Sequence, residues 1–160
     1  MRQDESKIRE GREYPSAPMV GVAAAVVRGA DVLLIRRGRE PMLGAWSLPG
    51  GVLEVGETTA EGVAREVWEE TGLKVRPVEM IATLDRILRD DAGRVQFHYV
   101  LIEWMCVVSE GQGTELVCGD DATAAVWARR SEIYSETYGL TEPTLGVIEK
   151  ALKLAETIER

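Results

Sequence analysis

Three glutamates at helical spacing are the residues of this 160-residue chain whose types and positions are best suited to chemistry. Glu66, Glu69 and Glu70 stand one, three and four positions apart, which places their side chains on one side of a helix. Each like-charge pair should cost an isolated helix a few tenths of a kcal/mol, so helix stability does not explain three acids there. Carboxylates suit hard divalent ions, whereas zinc would favour His or Cys, and the chain has one His and two Cys. The spacing therefore predicts a metal site, with Mg²⁺ as the first choice and Mn²⁺ as the alternative.

The residues around these glutamates predict the helix that positions them. Thr58 and Glu61 have the spacing of a capping box, so the helix should begin near residue 59, and Gly72 is the expected C-cap. Glu61 is expected to be solvated and to face Arg65 four residues later. The apolar stripe that should be buried consists of Ala60, Val63, Ala64 and Val67. A helix over 59–71 would therefore anchor one face in a core and leave the three glutamates off that face.

Residues 51–73 resemble the Nudix box at every fixed position of that family's pattern. The pattern is a glycine, then a glutamate, an Arg-Glu pair, two further glutamates and a glycine at set intervals, with apolar positions between and after them. In this chain these positions are Gly51, Glu57, Arg65, Glu66, Val67, Glu69, Glu70, Gly72 and Leu73. At average residue abundances, seven such places arise by chance with odds on the order of one in a million. The chain is therefore identified as a member of the Nudix family.

The resemblance implies a metal-dependent hydrolase that cleaves the pyrophosphate bond of a nucleoside diphosphate linked to another group. It implies four metal ligands: Glu66, Glu69, Glu70 and the backbone carbonyl of Gly50. Either Glu66 or Glu69 could also serve as the base that activates water. Arg65 would brace the loop that carries Glu57 instead of touching the reacting phosphorus.

Many family members recruit a further acid from a loop after the long strands. The candidates here are Glu115, Asp120 and Asp121, of which Asp120 and Asp121 are favoured. The alternative for these two aspartates is an Asx turn that precedes a strand.

The candidates for substrate binding lie outside the box. Arg36 and Arg37 end a strand, and because side chains alternate along a strand, at most one of them should face a phosphate. Trp46 could stack on a base, although core packing is its alternative, and Arg86 has the same ambiguity. Residues 119–127 resemble the ADP-ribose pyrophosphatase-like branch, so ADP-ribose, cleaved to AMP and ribose 5-phosphate, is the first choice of substrate. A nucleoside triphosphate pyrophosphohydrolase of the house-cleaning type and a non-catalytic nucleotide sensor are the alternatives.

Composition and charge set the broad class. The chain is 45% apolar with a net charge of −8, so it should form a proper core and should not bind nucleic-acid polymers, which leaves a small nucleotide as the expected partner. Cys106 and Cys118 occur singly and are expected to be reduced thiols, which favours the cytoplasm. The N-terminus has no apolar signal region, and no run approaches the roughly 18 apolar residues of a membrane span, so no membrane association is expected.

The chain is expected to consist of a flexible arm, residues 1–17, and a single Nudix domain, residues 18–160. The predicted strands are 20–28, 32–37, 75–88, 94–108, 115–118 and 122–128. Strands 75–88 and 94–108 should form a hairpin. A short helix could begin at Ser131, and an amphipathic helix with Pro143 in its first turn should close the chain. A mixed β-sheet between the box helix and the C-terminal helix gives an α/β/α sandwich, which is also the Nudix fold that the resemblance implies. The arm or the hairpin could supply the interface of a homodimer.

Overall fold

A computed structural model describes residues 11–158, which form strands and two helices. In chain order the elements are β1 (Met19–Arg28), β2 (Asp31–Arg37), β3 (Trp46–Ser47), β4 (Gly50–Val52), α1 (Thr59–Thr71), β5 (Val75–Arg89), β6 (Val95–Val108), β7 (Ala122–Arg129) and α2 (Glu142–Ile158). Neither helix of this described part is both long and apolar enough to cross a bilayer.

The strands form one mixed sheet around β1. Strand β1 pairs in parallel with β6 and antiparallel with β2 and β4, while β5 and β6 form the predicted long hairpin. Strand β2 extends the sheet by pairing antiparallel with β3 and with β7. Because β4 is short, it pairs only with the first half of β1 and leaves the residues after Val52 free to lead into α1.

Both faces of this sheet are buried because its central strands are apolar at consecutive positions. On β1, Val22, Ala24 and Val26 belong to the core that α1 covers with Val63 and Val67. The alternate positions belong to a second core, which α2 covers with residues that include Val147, Ile148, Ala151 and Leu152. The predicted α/β/α sandwich is confirmed, and the two apolar faces explain its three layers.

Helix α1 begins and ends where the sequence predicts. The Thr58 hydroxyl accepts from the Glu61 N–H at 3.1 Å, and the Glu61 carboxylate accepts from the Thr58 N–H at 2.8 Å, so both halves of the capping box are present. Gly72 is the left-handed C-cap, with φ of 72°. The expected pairing of Glu61 with Arg65 is wrong, because Glu61 is committed to the N-cap and Arg65 contacts other carboxylates of the described chain.

The segment before β7 differs from the predicted strand at 115–118. Residues 113–119 form a loop that lies on the C-terminal end of α1, where the N–H groups of Val117 and Gly119 donate to the carbonyls of Thr71 and Glu70 at 3.0 and 3.1 Å. The last carbonyls of a helix have no hydrogen-bond donors within the helix. Here they accept hydrogen bonds from the N–H groups of Val117 and Gly119, which are then not available to pair with a neighbouring strand. The helix predicted to begin at Ser131 is also wrong, since residues 130–137 form successive turns.

The last part of the predicted arm, residues 11–17, contacts the β5–β6 hairpin. The Tyr14 N–H donates to the Gln96 carbonyl at 2.8 Å, and the Tyr14 hydroxyl donates to Asp90 at 2.9 Å. The Arg94 guanidinium lies 4.8 Å from the centre of the Tyr14 ring. Residues 1–10, the rest of that arm, lie outside the described residues.

Candidate active site

The strand that precedes α1 brings backbone unusually close to the helix. A Cβ on Gly51 would lie 2.4 Å from the Glu66 carboxylate, and a Cβ on Gly50 would lie 2.2 Å from the Val22 carbonyl oxygen. Only glycine permits these approaches. The Gly50 N–H also donates to Glu70 at 3.0 Å. Gly51 therefore lets β4 pack directly against the Glu66 carboxylate, whereas Gly50 lets β4 approach β1 closely while its N–H donates to Glu70.

Arg65 fastens this loop to the helix through a fork of hydrogen bonds. Its guanidinium binds both oxygens of Glu57, at 3.0 and 2.7 Å, and also donates to the Val52 carbonyl at 3.2 Å. Another nitrogen donates to Glu66 at 2.8 Å and to Glu69 at 3.2 Å. These bonds hold the pKa of Glu57 below its usual range and raise the pKa of Arg65. The arginine thereby orients Glu66 and Glu69 while it joins the loop to the helix.

Three carboxylates from two parts of the chain converge beside this fork. One oxygen from each of Glu66, Glu69 and Asp120 lies within 4.8 Å of the other two. Asp120 reaches the group because its loop lies on the end of α1, and a Cβ on Gly119 would stand only 2.6 Å from the Glu69 carbonyl oxygen. Burial raises the pKa of both Glu66 and Glu69, and the negative charge of Asp120 adds to the effect. Oxygen ligands at this separation fit a hard divalent cation, which would also relieve their mutual repulsion.

Glu70 differs from the other two box glutamates. It is buried, with 4% of its surface exposed, and its carboxylate accepts the Gly50 N–H. Burial, followed by repulsion from Glu66, raises its pKa to about 8. Glu70 does not belong to the group of three oxygens that the described residues form, so the predicted ligand set differs from the one that the geometry favours. Ligation by Glu70 or by the Gly50 carbonyl stays a prediction.

The three carboxylates stand in the wall of a cleft of about 490 Å³. Five arginines of the described residues line the same cleft: Arg65 of the box helix, and Arg12, Arg37, Arg39 and Arg86. Burial, followed by repulsion from Arg86, lowers the pKa of Arg37. The combination of an acidic cluster with several guanidinium groups fits a metal-bound polyphosphate, because each charged part of the ligand finds the opposite sign.

The remaining predicted residues divide between the cleft and its surroundings. Arg37 lines the cleft and donates to the Pro41 carbonyl at 2.7 Å, whereas Arg36 is exposed outside it and donates to the Gly44 carbonyl at 3.2 Å. Asp121 lines the cleft but forms an ion pair with Arg39.

Two candidates lie elsewhere. Trp46 packs in the α2 core, edge-on to Tyr138 with ring centres 5.5 Å apart, so we do not retain it as a substrate contact. Glu115 is exposed and outside the cleft lining.

With this geometry established, comparison with known families decides the identity. The NUDIX domain family matches residues 17–147, which is most of the chain. The chain belongs to the Nudix family. The box predicted from the sequence is thus the loop and helix that carry Arg65 and the clustered glutamates.

Three known proteins illustrate the similarity of this Nudix chain to others. It is 37% identical over 108 residues to the ADP-ribose pyrophosphatase of Methanocaldococcus jannaschii, across 68% of this chain and 60% of that protein. It is 47% identical over 72 residues to a provisionally named 8-oxo-dGTP diphosphatase of Mycobacterium tuberculosis, across 44% and 49%. The structure of a MutT NUDIX hydrolase from Burkholderia pseudomallei matches with a TM-score of 0.66 at 27% identity, across 84% and 98%. The chain therefore spans between 49% and 60% of the length of these two curated relatives.

Sequence reasoning missed several residues of the Nudix cleft. Glu103 carried a recognisable signal, because it is the single acid within the apolar run of β6, residues 99–108. Arg12 and Arg39 carried none, since their positions depend on how the arm and the loop after β2 lie on the sheet. These residues supply part of the charge that lines the cleft.

Proposed function

We propose that this protein is a divalent-metal-dependent pyrophosphohydrolase that cleaves ADP-ribose to AMP and ribose 5-phosphate. The observation that carries the proposal is the convergence of Glu66, Glu69 and Asp120 in an arginine-lined cleft. Similarity to an ADP-ribose pyrophosphatase over 108 residues supports this choice of substrate.

In this proposal Glu66, Glu69 and Asp120 hold the divalent ion, with Mg²⁺ as the first choice. The chemistry that a bound ion supplies is neutralisation of phosphate charge and activation of water toward deprotonation. Arg65 keeps Glu66 and Glu69 at the right place by holding each carboxylate within hydrogen-bond distance. Either of these glutamates acts as the base, because both lie beside the cleft where the water must approach.

The arginines perform the binding step. Arg37, Arg39 and Arg86 line the cleft and offer planar donors to the phosphate oxygens. Water adds to one phosphorus, the bond from that phosphorus to the bridging oxygen breaks, and the water proton passes to the base. Attack at either phosphorus of ADP-ribose gives the same two phosphate monoesters, so the products are AMP and ribose 5-phosphate.

The test is hydrolysis of ADP-ribose with Mg²⁺, with both products separated by chromatography. We expect Glu69→Gln and Asp120→Asn each to lower kcat by at least about 10²-fold, because each removes charge from the ligand set. Glu115→Gln is the matched control, since it makes the same change at an exposed residue outside the cleft, and it should retain the parental rate. Unchanged rates in both cluster variants would contradict the proposal.

A second reaction, release of pyrophosphate from a nucleoside triphosphate, is favoured by the 47% identity to the 8-oxo-dGTP diphosphatase. A panel containing ADP-ribose, dGTP and 8-oxo-dGTP distinguishes the two reactions. Higher kcat/KM for either triphosphate than for ADP-ribose would establish the second. Binding of a panel member without turnover of any would instead establish a nucleotide sensor.

A further inference from the structure

A buried carboxylate in the cleft wall has no role in the proposed hydrolysis. Glu103, in the middle of β6, is only 4% exposed and lines the same cleft as the acidic cluster. Its Oε2 atom has no hydrogen-bond partner within residues 11–158. Among these described residues, no other buried side-chain oxygen or nitrogen lacks one. A buried polar atom without a partner destabilises a fold, so this oxygen is suited to a partner that arrives with the ligand.

Glu103 is separated from the metal-binding end of the cleft. Its oxygens do not belong to the cluster of Glu66, Glu69 and Asp120. In the sheet, Gly50 pairs with Ala23 and Ala23 pairs with Glu103, so two strand spacings, or about 10 Å, separate the backbone of Glu103 from the Gly50 loop. A pyrophosphate held at the loop would therefore leave Glu103 to the organic part of the substrate.

The surroundings of Glu103 favour a flat, partly apolar group. Leu101 and Tyr99 lie at alternate positions on β6, therefore on the same face as Glu103, and both line the cleft. Ile35 and Leu48 contribute further apolar surface to the cleft wall. A nucleobase suits such walls better than a hydrated sugar does.

The chemistry of a carboxylate restricts which atom it can bind. An ionised carboxylate only accepts hydrogen bonds, so it repels the phosphates and requires an N–H or O–H donor from the ligand. Burial raises the pKa of Glu103 to about 7, while the nearby charge of Arg86 acts in the opposite direction. The ionised form is therefore accessible near neutral pH, where a donor would stabilise it.

We propose that Glu103 determines nucleobase specificity by accepting a hydrogen bond from the exocyclic amino group of adenine. This assignment rests on the proposed hydrolysis of ADP-ribose. An analogue whose purine lacks the amino group would leave the buried oxygen without a partner, and it should bind more weakly for that reason.

The experiment compares ADP-ribose with that analogue for the parental protein and for Glu103→Leu and Glu103→Gln. The parental protein should prefer ADP-ribose by about tenfold or more in kcat/KM, chiefly through KM. Glu103→Leu should lose the preference, and Glu103→Gln should retain part of it because the amide oxygen still accepts a hydrogen bond. Glu79→Leu makes the same change at an exposed position of the neighbouring strand, outside the cleft lining, and it should keep the full preference.

The outcomes separate this assignment from the proposed function. Hydrolysis of ADP-ribose with the same preference in folded Glu103→Leu and in the parental protein would overturn the assignment and leave the function standing. If Glu103→Leu instead loses discrimination against a 2′-deoxyribose analogue, the donor is a sugar hydroxyl and the base assignment is overturned. If the parental protein cleaves another nucleotide instead of ADP-ribose, the proposed function fails. The role of Glu103 is then decided by the ratio of kcat/KM for that nucleotide to kcat/KM for its analogue without the amino group.

Discussion

Replacement of Glu103 by glutamine should stabilise the protein by an amount that depends on pH. Burial raises the pKa of Glu103 from its ordinary value of 4.5 to about 7. Below pH 4.5 the residue is protonated in both folded and unfolded chains, so ionisation contributes nothing to their difference. Between pH 4.5 and about 7 the unfolded chain loses the proton more readily, so the free energy of unfolding falls as pH rises. Glutamine does not titrate, and the variant should escape this loss.

The magnitude follows from the pKa difference. The interval from 4.5 to about 7, at about 1.4 kcal/mol for each pH unit, amounts to about 3 kcal/mol. The residue is almost wholly buried, so solvent screening reduces this value little. The variant Glu103→Gln should therefore gain stability relative to the parental protein between pH 5 and pH 8. The difference between their free energies of unfolding should increase by somewhat less than about 3 kcal/mol.

The assay is urea unfolding of the metal-free proteins at pH 5 and pH 8, followed by circular dichroism. Comparing the same variant at two pH values removes any constant effect of the substitution itself. Glu79→Gln is the matched control, because it makes the same substitution at an exposed residue of the neighbouring strand that lies outside the cleft lining. A Glu103→Gln difference that stays constant or falls between pH 5 and pH 8 would refute the reasoning.

Three further predictions concern the end of the cleft that carries Glu66, Glu69 and Asp120. Arg65→Lys should lower kcat by about tenfold or more with a smaller change in KM, because lysine keeps the charge but cannot form the two-pronged contact with Glu57; an unchanged kcat in the steady-state assay would contradict this. Gly51→Ala should abolish hydrolysis with native-like circular dichroism, since its Cβ would displace the Glu66 carboxylate, whereas Gly113→Ala, with open space around it, should keep its activity. Mg²⁺ at 100 times its Kd should increase the free energy of unfolding of the parental protein by about 2.7 kcal/mol and so raise its Tm. The same Mg²⁺ concentration should raise the Tm of Asp120→Asn clearly less. Equal Tm shifts in differential scanning fluorimetry would remove Asp120 from the ligand set.

Local sequence rules accounted for the elements whose stabilising contacts lie close together in the chain. The ends of α1 follow from Thr58, Glu61 and Gly72, each of which satisfies backbone groups within a few residues. The β5–β6 hairpin follows from two apolar runs joined by a short polar turn, in which Asp90 accepts from the N–H groups of Ala92 and Arg94.

The same local rules failed at 115–118 and after Ser131. In the first segment, the N–H groups of Val117 and Gly119 bind the carbonyls that end α1, far away in sequence. A pattern of strand-forming residues contains no information about a helix end that competes for its hydrogen bonds.

The sequence by itself determined how the acidic residues are arranged at one end of the cleft. Glu66 and Glu69 occupy one side of a helix because of their spacing. Gly51 lacks a side chain, and this leaves room for the Glu66 carboxylate. Arg65 likewise reaches Glu57 within a segment of only nine residues, 57–65. These relations are local, so a short motif is sufficient to specify them.

Only the tertiary structure decided which acid completes the cluster of Glu66 and Glu69 and which residue lines the other end of the cleft. Asp120 joins Glu66 and Glu69 because its loop lies on the end of α1, while Glu70 turns to the Gly50 N–H. Glu103 enters the cleft because β6 pairs in parallel with β1, at a separation of about 80 residues that no local pattern specifies. The physical reason is that metal ligands and specificity contacts depend on side-chain atoms meeting within a few ångströms, and sequence spacing controls that only along a single helix, strand or turn.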